Sequence, residues 1–346
     1  MAIEHSQLGA TGVMVSPLCL GAMMFGAWGN TDHDESIAII HAALDAGINF
    51  IDTADVYARG ESEEIVGKAL AGGKRDGVVL ATKVHGRMDD HDPNQFGNTR
   101  RWIIAEVENS LRRLKTDWID LYQIHRPEPL TDIDETLGAL SDLVRAGKVR
   151  YIGSSTFQPS QIVEAQWVAE KRGRERFVCE QPPYSLFHRG VEAEVLPVCA
   201  RYGMGVIPWS PLAGGWLSGK YGRHAAPSGS GLRAQVMPSR FDMSLPENQD
   251  KLGKVEALNE LAERSGMTLI ELALAFVTSH PAVTAAIIGP RTMEQLEDQL
   301  PALERSVLSA DVLDAIDEIV PPGVNVKADE RGWDPPWLAD SAQRRR

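Results

Sequence analysis

The sequence is short of cysteine, of positive charge and of long apolar runs, and each shortage excludes something. Its three cysteines, Cys19, Cys179 and Cys199, are an odd number, far apart and without a CxxC pair. Neither a disulfide framework nor a zinc site is indicated, and buried thiols in a reducing compartment are expected. Lys and Arg number 35 against 48 Asp and Glu, a formal charge of −13. Nucleic acid is not an expected partner, because phosphate binding needs a basic face. No apolar run is long enough to span a bilayer, so no membrane association is expected. The opening Met-Ala-Ile-Glu-His lacks the basic and apolar stretches of a signal peptide. A cytoplasmic protein is the reading that follows. The closing Arg344, Arg345 and Arg346 read as a frayed tail.

What the chain has is alternation. Across 346 residues, 43% of them hydrophobic, short apolar or β-branched runs alternate with segments of helical period. Candidate strands are 17–20, 49–52, 78–82, 119–124, 149–153, 178–181, 205–209 and 285–288. Between them, Ile103, Val107, Leu111 and Leu114 share one helical face within 99–114. Ile133, Leu137, Leu140 and Val144 share another, which Gly147 stops. Nearly continuous apolar strands, each followed by a helix, imply a parallel sheet covered on its outer face. A doubly wound sheet would carry a Gly-rich phosphate turn after its first strand, and no GxGxxG stands there. The fold class expected is therefore α/β, a (β/α)8 TIM barrel in one domain over residues 1–346, for which about 250 residues suffice. An N-terminal β-hairpin (1–16) plugs the barrel floor. A structureless insertion (211–249) follows the seventh strand, its run 224–232 reading as a mobile lid. A C-terminal helix and tail (303–346, with the helix at 310–320) close the chain, the tail carrying Trp333 and Trp337.

In such a barrel the chemistry sits at the carboxyl ends of the strands. Asp52 closes the second strand and Tyr57 follows in its loop. Lys83 closes the third strand and His125 the fourth. Singly, an Asp there is an N-cap, a Lys is solvated and a His is structural; together they converge on one rim. A tyrosine of pKa about 10 is a poor proton donor near neutrality. An ammonium such as Lys83 favours the phenolate and lowers that pKa, and Asp52 holds the ammonium. His125 can orient a substrate oxygen beside the tyrosine. Trp28, after the first strand, is a candidate pocket wall.

The segments Asp52-Thr-Ala-Asp-Val-Tyr57, Leu80-Ala-Thr-Lys83-Val and Ile119-Asp-Leu-Tyr-Gln-Ile-His125-Arg-Pro resemble the aldo-keto reductase superfamily. The resemblance continues through Ile152-Gly-Ser154-Ser155, Glu180-Gln181-Pro-Pro-Tyr184, Trp209-Ser-Pro-Leu212 and Ile288-Gly289-Pro-Arg291-Thr-Met-Glu-Gln295, over roughly residues 5 to 300. It runs closest to the bacterial, potassium-channel β-subunit-like and sugar-aldehyde or hexose-reductase branches. It implies an NADP-dependent carbonyl reductase (EC 1.1.1.-) acting on a small aldehyde or ketone, with Asp52, Tyr57, Lys83 and His125 as the catalytic tetrad. It also implies cofactor contacts. Gly21, Ala22 and Met23 lie at the nicotinamide end, Ser154 and Gln181 on the carboxamide, and Trp209 stacks on the ring. Ser210, Pro211 and Leu212 begin the pyrophosphate loop, with Lys220 and Arg233 reaching in. Gly289, Arg291, Gln295, Asp298 and Gln299 serve the adenosine end. An Arg beside the ribose pairs bidentately with a 2′-phosphate, which favours NADPH. Three positions depart from the pattern: Ser155 where an Asn is common, Ala58 where a Gly is common, and Gln299 where an Asn is common.

Other signals weigh less. The run from Gly214 to Tyr221 nearly spells a P-loop, but Tyr221 replaces the residue that would ligate magnesium. Asp89-Asp-His-Asp92 reads as a solvated loop, with no metal expected, and no GxSxG elbow occurs. Two alternatives remain. One is reduction of a conjugated C=C in a nucleotide-linked sugar. The other is a cofactor-binding regulatory subunit, disfavoured because the chain begins just before the hairpin.

Overall fold

The computed structural model describes residues 3–222, 225, 227, 234–235, 237–304, 307–340 and 342. Strands β1 (Ser6–Gln7) and β2 (Met14–Val15) form an antiparallel hairpin. Eight strands follow: β3 (Leu18–Gly21), β4 (Phe50–Asp52), β5 (Val79–Val84), β6 (Ile119–Ile124), β7 (Val149–Ser155), β8 (Cys179–Gln181), β9 (Gly205–Val206) and β10 (Ala286–Ile288). They pair in parallel in the order β10-β3-β4-β5-β6-β7-β8-β9. The N–H groups of Thr284 and Ile287 bond the carbonyls of Val206 and Pro208 at 2.8 and 2.9 Å, joining the two ends into a (β/α)8 barrel. The predicted seventh strand shortens because Pro208 has no N–H to give the ladder. Pairing still persists beyond it, Trp209 donating to the Pro182 carbonyl at 3.0 Å.

Strand alternation separates two apolar sets. Cys19, Phe50, Ala81, Leu121, Cys179, Ile207 and Ala285 fill the interior with Leu8 and Val15 of the hairpin. Leu18, Leu20, Ile51, Leu80 and Ile152 face outward and pack under the helices. The hairpin crosses the floor so closely that a Cβ on Gly9 would lie within 2.7 Å of Gly203 O, Val178 O and Gly205 N; its φ of +55° is a second reason for glycine. The helices form where periodicity and caps agree. Thr99 caps the helix Arg100–Leu114 through the Trp102 N–H, and Asp132 caps the helix Ile133–Arg145.

The insertion after β9 is less structureless than expected. Its helical continuation, Pro246–Arg264, begins inside the predicted loop, and Trp216 stacks on Phe241 with centroids 5.7 Å apart and Tyr221 against both. This aromatic clamp pins the two ends together. Most of the expected lid, 224–232, lies outside the described residues.

After the helix Ala310–Ile319 the chain docks on the loop that follows β8, Val326 donating to the Phe187 carbonyl at 3.0 Å. Glu330 is buried there between Lys251 (2.6 Å to each oxygen) and His188 (3.0 Å). Burial opposes its charge, but His188 and Lys251 prevail and hold its carboxyl down at about 2. Because this acid is depressed below its unfolded value of 4.5, its stabilisation is present above that pH and lost as pH falls toward 2. Acid unfolding followed by circular dichroism should therefore have a shallower slope over this window in Glu330→Gln than in the wild type. An unchanged slope would mean that this carboxylate contributes nothing to acid sensitivity.

Candidate active site

Parallel neighbours in register point to the same side of a sheet, so pairing decides which strand-end residues look inward. Asp52 pairs with Ala81, Lys83 with Gln123, Gln123 with Gly153, and Ser155 with Gln181, all on the inner face at the carboxyl rim. Lys83 is fully buried. Its ammonium donates to Asp52 Oδ2 at 2.5 Å, to the Thr53 carbonyl at 2.8 Å and to Tyr57 OH at 3.1 Å. The second carboxylate oxygen of Asp52 accepts from Gln123 at 3.0 Å and Gln181 at 2.9 Å. A fully bonded buried ion pair of this kind is held rigidly.

Tyr57 opens a turn in which Ala58, Arg59 and Gly60 all have positive φ, a bend that turns the phenol back over the rim. Ala58 tolerates the left-handed region at a cost a glycine would not incur. The His125 ring meets Tyr57 edge-on with centroids 5.6 Å apart, and half-exposed Trp28 lies 5.9 Å from the same phenol. Asp52, Tyr57, Lys83, His125 and Trp28 are thus brought together.

The electrostatics differ from the sequence expectation in one respect. Burial pushes the Tyr57 phenol above its ordinary value, and the opposing pull of Lys83 does not reverse it. Lys83 is held above its ordinary value: burial works against the charge, and Asp52 and Tyr57 outweigh it. Burial, with Lys83 and Arg126 nearby, keeps His125 well below its ordinary value and so neutral. The site therefore combines a protonated phenol, a fixed ammonium and a neutral imidazole.

The candidate cofactor residues divide. Gly21 pairs with Asp52, and Ala22 is tied to the Asp52 carbonyl at 2.8 Å, with Met23 next to it. The buried Nε1 of Trp209 has no hydrogen-bond partner among the described residues. Ser210 takes a φ of +60° and its hydroxyl accepts the Gly214 N–H at 2.9 Å, Pro211 and Leu212 turning between them. Lys220 is exposed; Arg233 lies outside the described residues. Gln295 accepts the Arg291 N–H at 2.9 Å, and the Arg291 carbonyl accepts from Asn30 at 3.0 Å, tying the loops after β3 and β10. Gly289 and Asp298 are exposed nearby, and Gln299 is buried, its Oε1 without a hydrogen-bond partner among the described residues.

Ser154 needs correcting. It shares the outer face with Ile124 and Glu180, and its hydroxyl donates to Glu180 at 2.5 Å. Ser155 and Thr156 stand at the rim instead, beside Arg126. Gln123 and Arg126 were not singled out from sequence. The signal for Gln123 was present: Leu121, Gln123 and His125 alternate on one face, and a polar side chain between them interrupts an apolar interior. Among the described residues no group of side chains is arranged to hold a metal ion. Asp89 and Asp92 accept the N–H groups of His91 and Asn94, and Asp90 pairs with Arg59 at 2.7 Å. No described helix is long and apolar enough to cross a membrane.

A phenol, an ammonium and an imidazole gathered at the carboxyl rim of a (β/α)8 barrel make a site equipped to move a proton to or from an oxygen. The family comparison places the whole barrel: residues 17–321 match the aldo/keto reductase family, and the chain belongs to it. It is similar to the uncharacterized oxidoreductase YrpG of Bacillus subtilis (strain 168), 43% identical over 330 residues, 92% of this chain and 96% of that protein. It is also similar to the aldo-keto reductase YhdN of the same organism, 40% identical over 299 residues, 85% and 87% of the two chains. A probable voltage-gated potassium channel subunit beta of Oryza sativa subsp. japonica is 36% identical over 323 residues, 92% and 97%. An oxidoreductase is the class these matches define.

Proposed function

We propose that this chain, read as one domain over 1–346, is a cytoplasmic NADPH-dependent reductase of an aldehyde or ketone, with Tyr57 as the general acid. The observation that carries the reading is the Lys83 ammonium, 3.1 Å from Tyr57 OH and 2.5 Å from Asp52. Two unpartnered buried atoms, Trp209 Nε1 and Gln299 Oε1, fit a dinucleotide that brings polar groups to the rim. In this reading Trp209, Gln181, Ser155 and Ala22 serve its nicotinamide end, Ser210 to Leu212 and Lys220 its phosphates, and Arg291, Gln295, Asp298 and Gln299 its adenosine. When bound, the reduced nicotinamide supplies a hydride to the carbonyl carbon.

The chain's own residues then handle the proton. Burial keeps Tyr57 protonated until the carbonyl oxygen gains charge. Tyr57 gives its proton to that oxygen, and the resulting phenolate is stabilised by the adjacent ammonium of Lys83. Asp52, fixed by Gln123 and Gln181, holds Lys83 in place. Neutral His125 donates a hydrogen bond that orients the carbonyl.

An assay of NADPH consumption with aldehydes, ketones, sugar aldehydes and quinones, with products identified by NMR, tests the reading. Alcohol products support it. Saturation of a conjugated C=C, or no turnover at all, would overturn it. The cofactor is tested separately. Arg291→Ala should weaken NADPH more than NADH by about 1.5–3 kcal/mol, the range for a hydrogen bond to a charged group. Equal losses measured by fluorescence titration would move the 2′-phosphate elsewhere, Arg233 being the next cation to try.

A further inference from the structure

Arg126 is a cation that the reaction above does not use. It follows His125 at the end of β6 and is half-buried. Its Nη1 donates to the His125 carbonyl at 2.8 Å and lies 3.5 and 3.4 Å from the hydroxyls of Ser155 and Thr156. The guanidinium carbon sits 5.9 Å from the centre of the Trp209 ring. All of these partners are neutral. Among the described residues no carboxylate lies within ion-pair distance of Arg126, and none accepts a hydrogen bond from its Nε or Nη2.

The neighbouring charges leave Arg126 uncompensated. Lys83 and Asp52 cancel each other in their ion pair, and His125 is neutral. Glu180 is the acid within electrostatic reach, but it lies on the helix side of β8. Its carboxyl is taken up by Ser154 Oγ and the Phe157 N–H, and burial pushes it up to about 7. The carboxyl rim beside Tyr57 and His125 therefore carries a positive charge at Arg126 within a chain of net charge −13. An unpaired, partly desolvated guanidinium is costly unless something completes it, and its planar fork matches a carboxylate or phosphate bidentately.

We propose that Arg126 selects the substrate: the carbonyl compound this enzyme reduces carries an oxyanion, carboxylate or phosphate, that pairs with the Arg126 guanidinium while the carbonyl reaches Tyr57 and His125. This rests on the reductase reading and names its substrate class. Matched aldehydes test it with NADPH in excess: 4-formylbenzoate against 4-methylbenzaldehyde, and 4-formylphenyl phosphate against 4-methoxybenzaldehyde. Wild-type kcat/KM should favour at least one charged member over its neutral partner by about tenfold or more, and the favoured arm identifies carboxylate or phosphate as the source. In Arg126→Gln the charged-to-neutral ratio should fall by roughly 10- to 100-fold, the range for a hydrogen bond to a charged group. Arg126→Lys, which keeps the charge and loses the fork, should recover part of it. Equal kcat/KM within both wild-type pairs overturns the proposal without touching the reductase reading, and does so even if Arg126→Gln fails to fold. A ratio unchanged in both variants overturns it too. Turnover of none of the four aldehydes, nor of the wider carbonyl panel, removes the reductase reading and this proposal with it.

Discussion

Replacing Tyr57 by Phe is expected to lower kcat for carbonyl reduction by roughly 10²- to 10⁴-fold, the usual worth of a positioned general acid. Cofactor affinity should stay nearly constant, because only one hydroxyl is removed from a ring that keeps its contacts with His125 and Trp28. The hydroxyl is one of two neutral partners of the Lys83 ammonium, the Thr53 carbonyl being the other and Asp52 the charged one. Losing it leaves Lys83 still bonded to Asp52 and Thr53, so the fold around it should survive. Steady-state kinetics with a tight-binding check on NADPH decides the matter. A Tyr57→Phe enzyme retaining a tenth or more of wild-type kcat would remove Tyr57 from the acid role.

Arg113→Met is expected to cost about 3–5 kcal/mol of stability, the range for stripping a buried ion pair of one partner. Arg113 donates to Glu63 at 2.6 Å and to Glu106 at 2.5 Å, and both carboxyl groups are buried. Thr82 adds a bond to Glu63 at 2.6 Å. Asp55 shares this surrounding: burial, with Glu106 and Glu63 adding to it, pushes its carboxyl well above the ordinary range. Two buried carboxyl groups thus share one guanidinium, and Asp55 beside them lies between Asp52 and Tyr57 in sequence. Urea unfolding at neutral pH measures the loss. Changing Glu63 and Glu106 to Gln as well should restore part of it, since no ionised acid is then left unpaired. A single-variant loss below about 1 kcal/mol would show the cluster already protonated and indifferent to Arg113.

Much of this site was legible in the sequence because barrel chemistry collects at strand ends, and strand ends are marked by the switch from apolar runs to polar residues. Asp52, Lys83 and His125 were read that way, and the eight strands from their short apolar or β-branched runs. The misplacement of Ser154 has a physical cause. Side chains alternate with a period of two, so a one-residue error in phase turns a rim residue outward, and only the pairing of Ser154 with Ile124 and Glu180 fixes that phase. Tyr57 illustrates another limit. Its neighbour Lys83 was visible in the motif, but the depth of burial that outweighs the ammonium depends on packing from several strands. The aromatic clamp of Trp216 and Phe241 joins residues with no periodic relation in the chain, so its contact emerges only in three dimensions.

The three thiols have a consequence for how this protein ages. Cys19 and Cys179 lie inside the barrel and Cys199 on the buried side of the helix Val195–Tyr202, all free and buried. Burial pushes each thiol up, with Asp52 adding to the effect at Cys19 and Glu180 at Cys179 and Cys199. The thiolate is the form that alkylating agents and peroxides attack, and here it is both scarce and shielded. Among the described residues, peroxide damage is accordingly expected first on thioethers at the surface, Met14 at 49% exposure and Met237 at 37%. Their sulfoxides are reversible lesions, so the barrel interior outlasts the wear on its exterior.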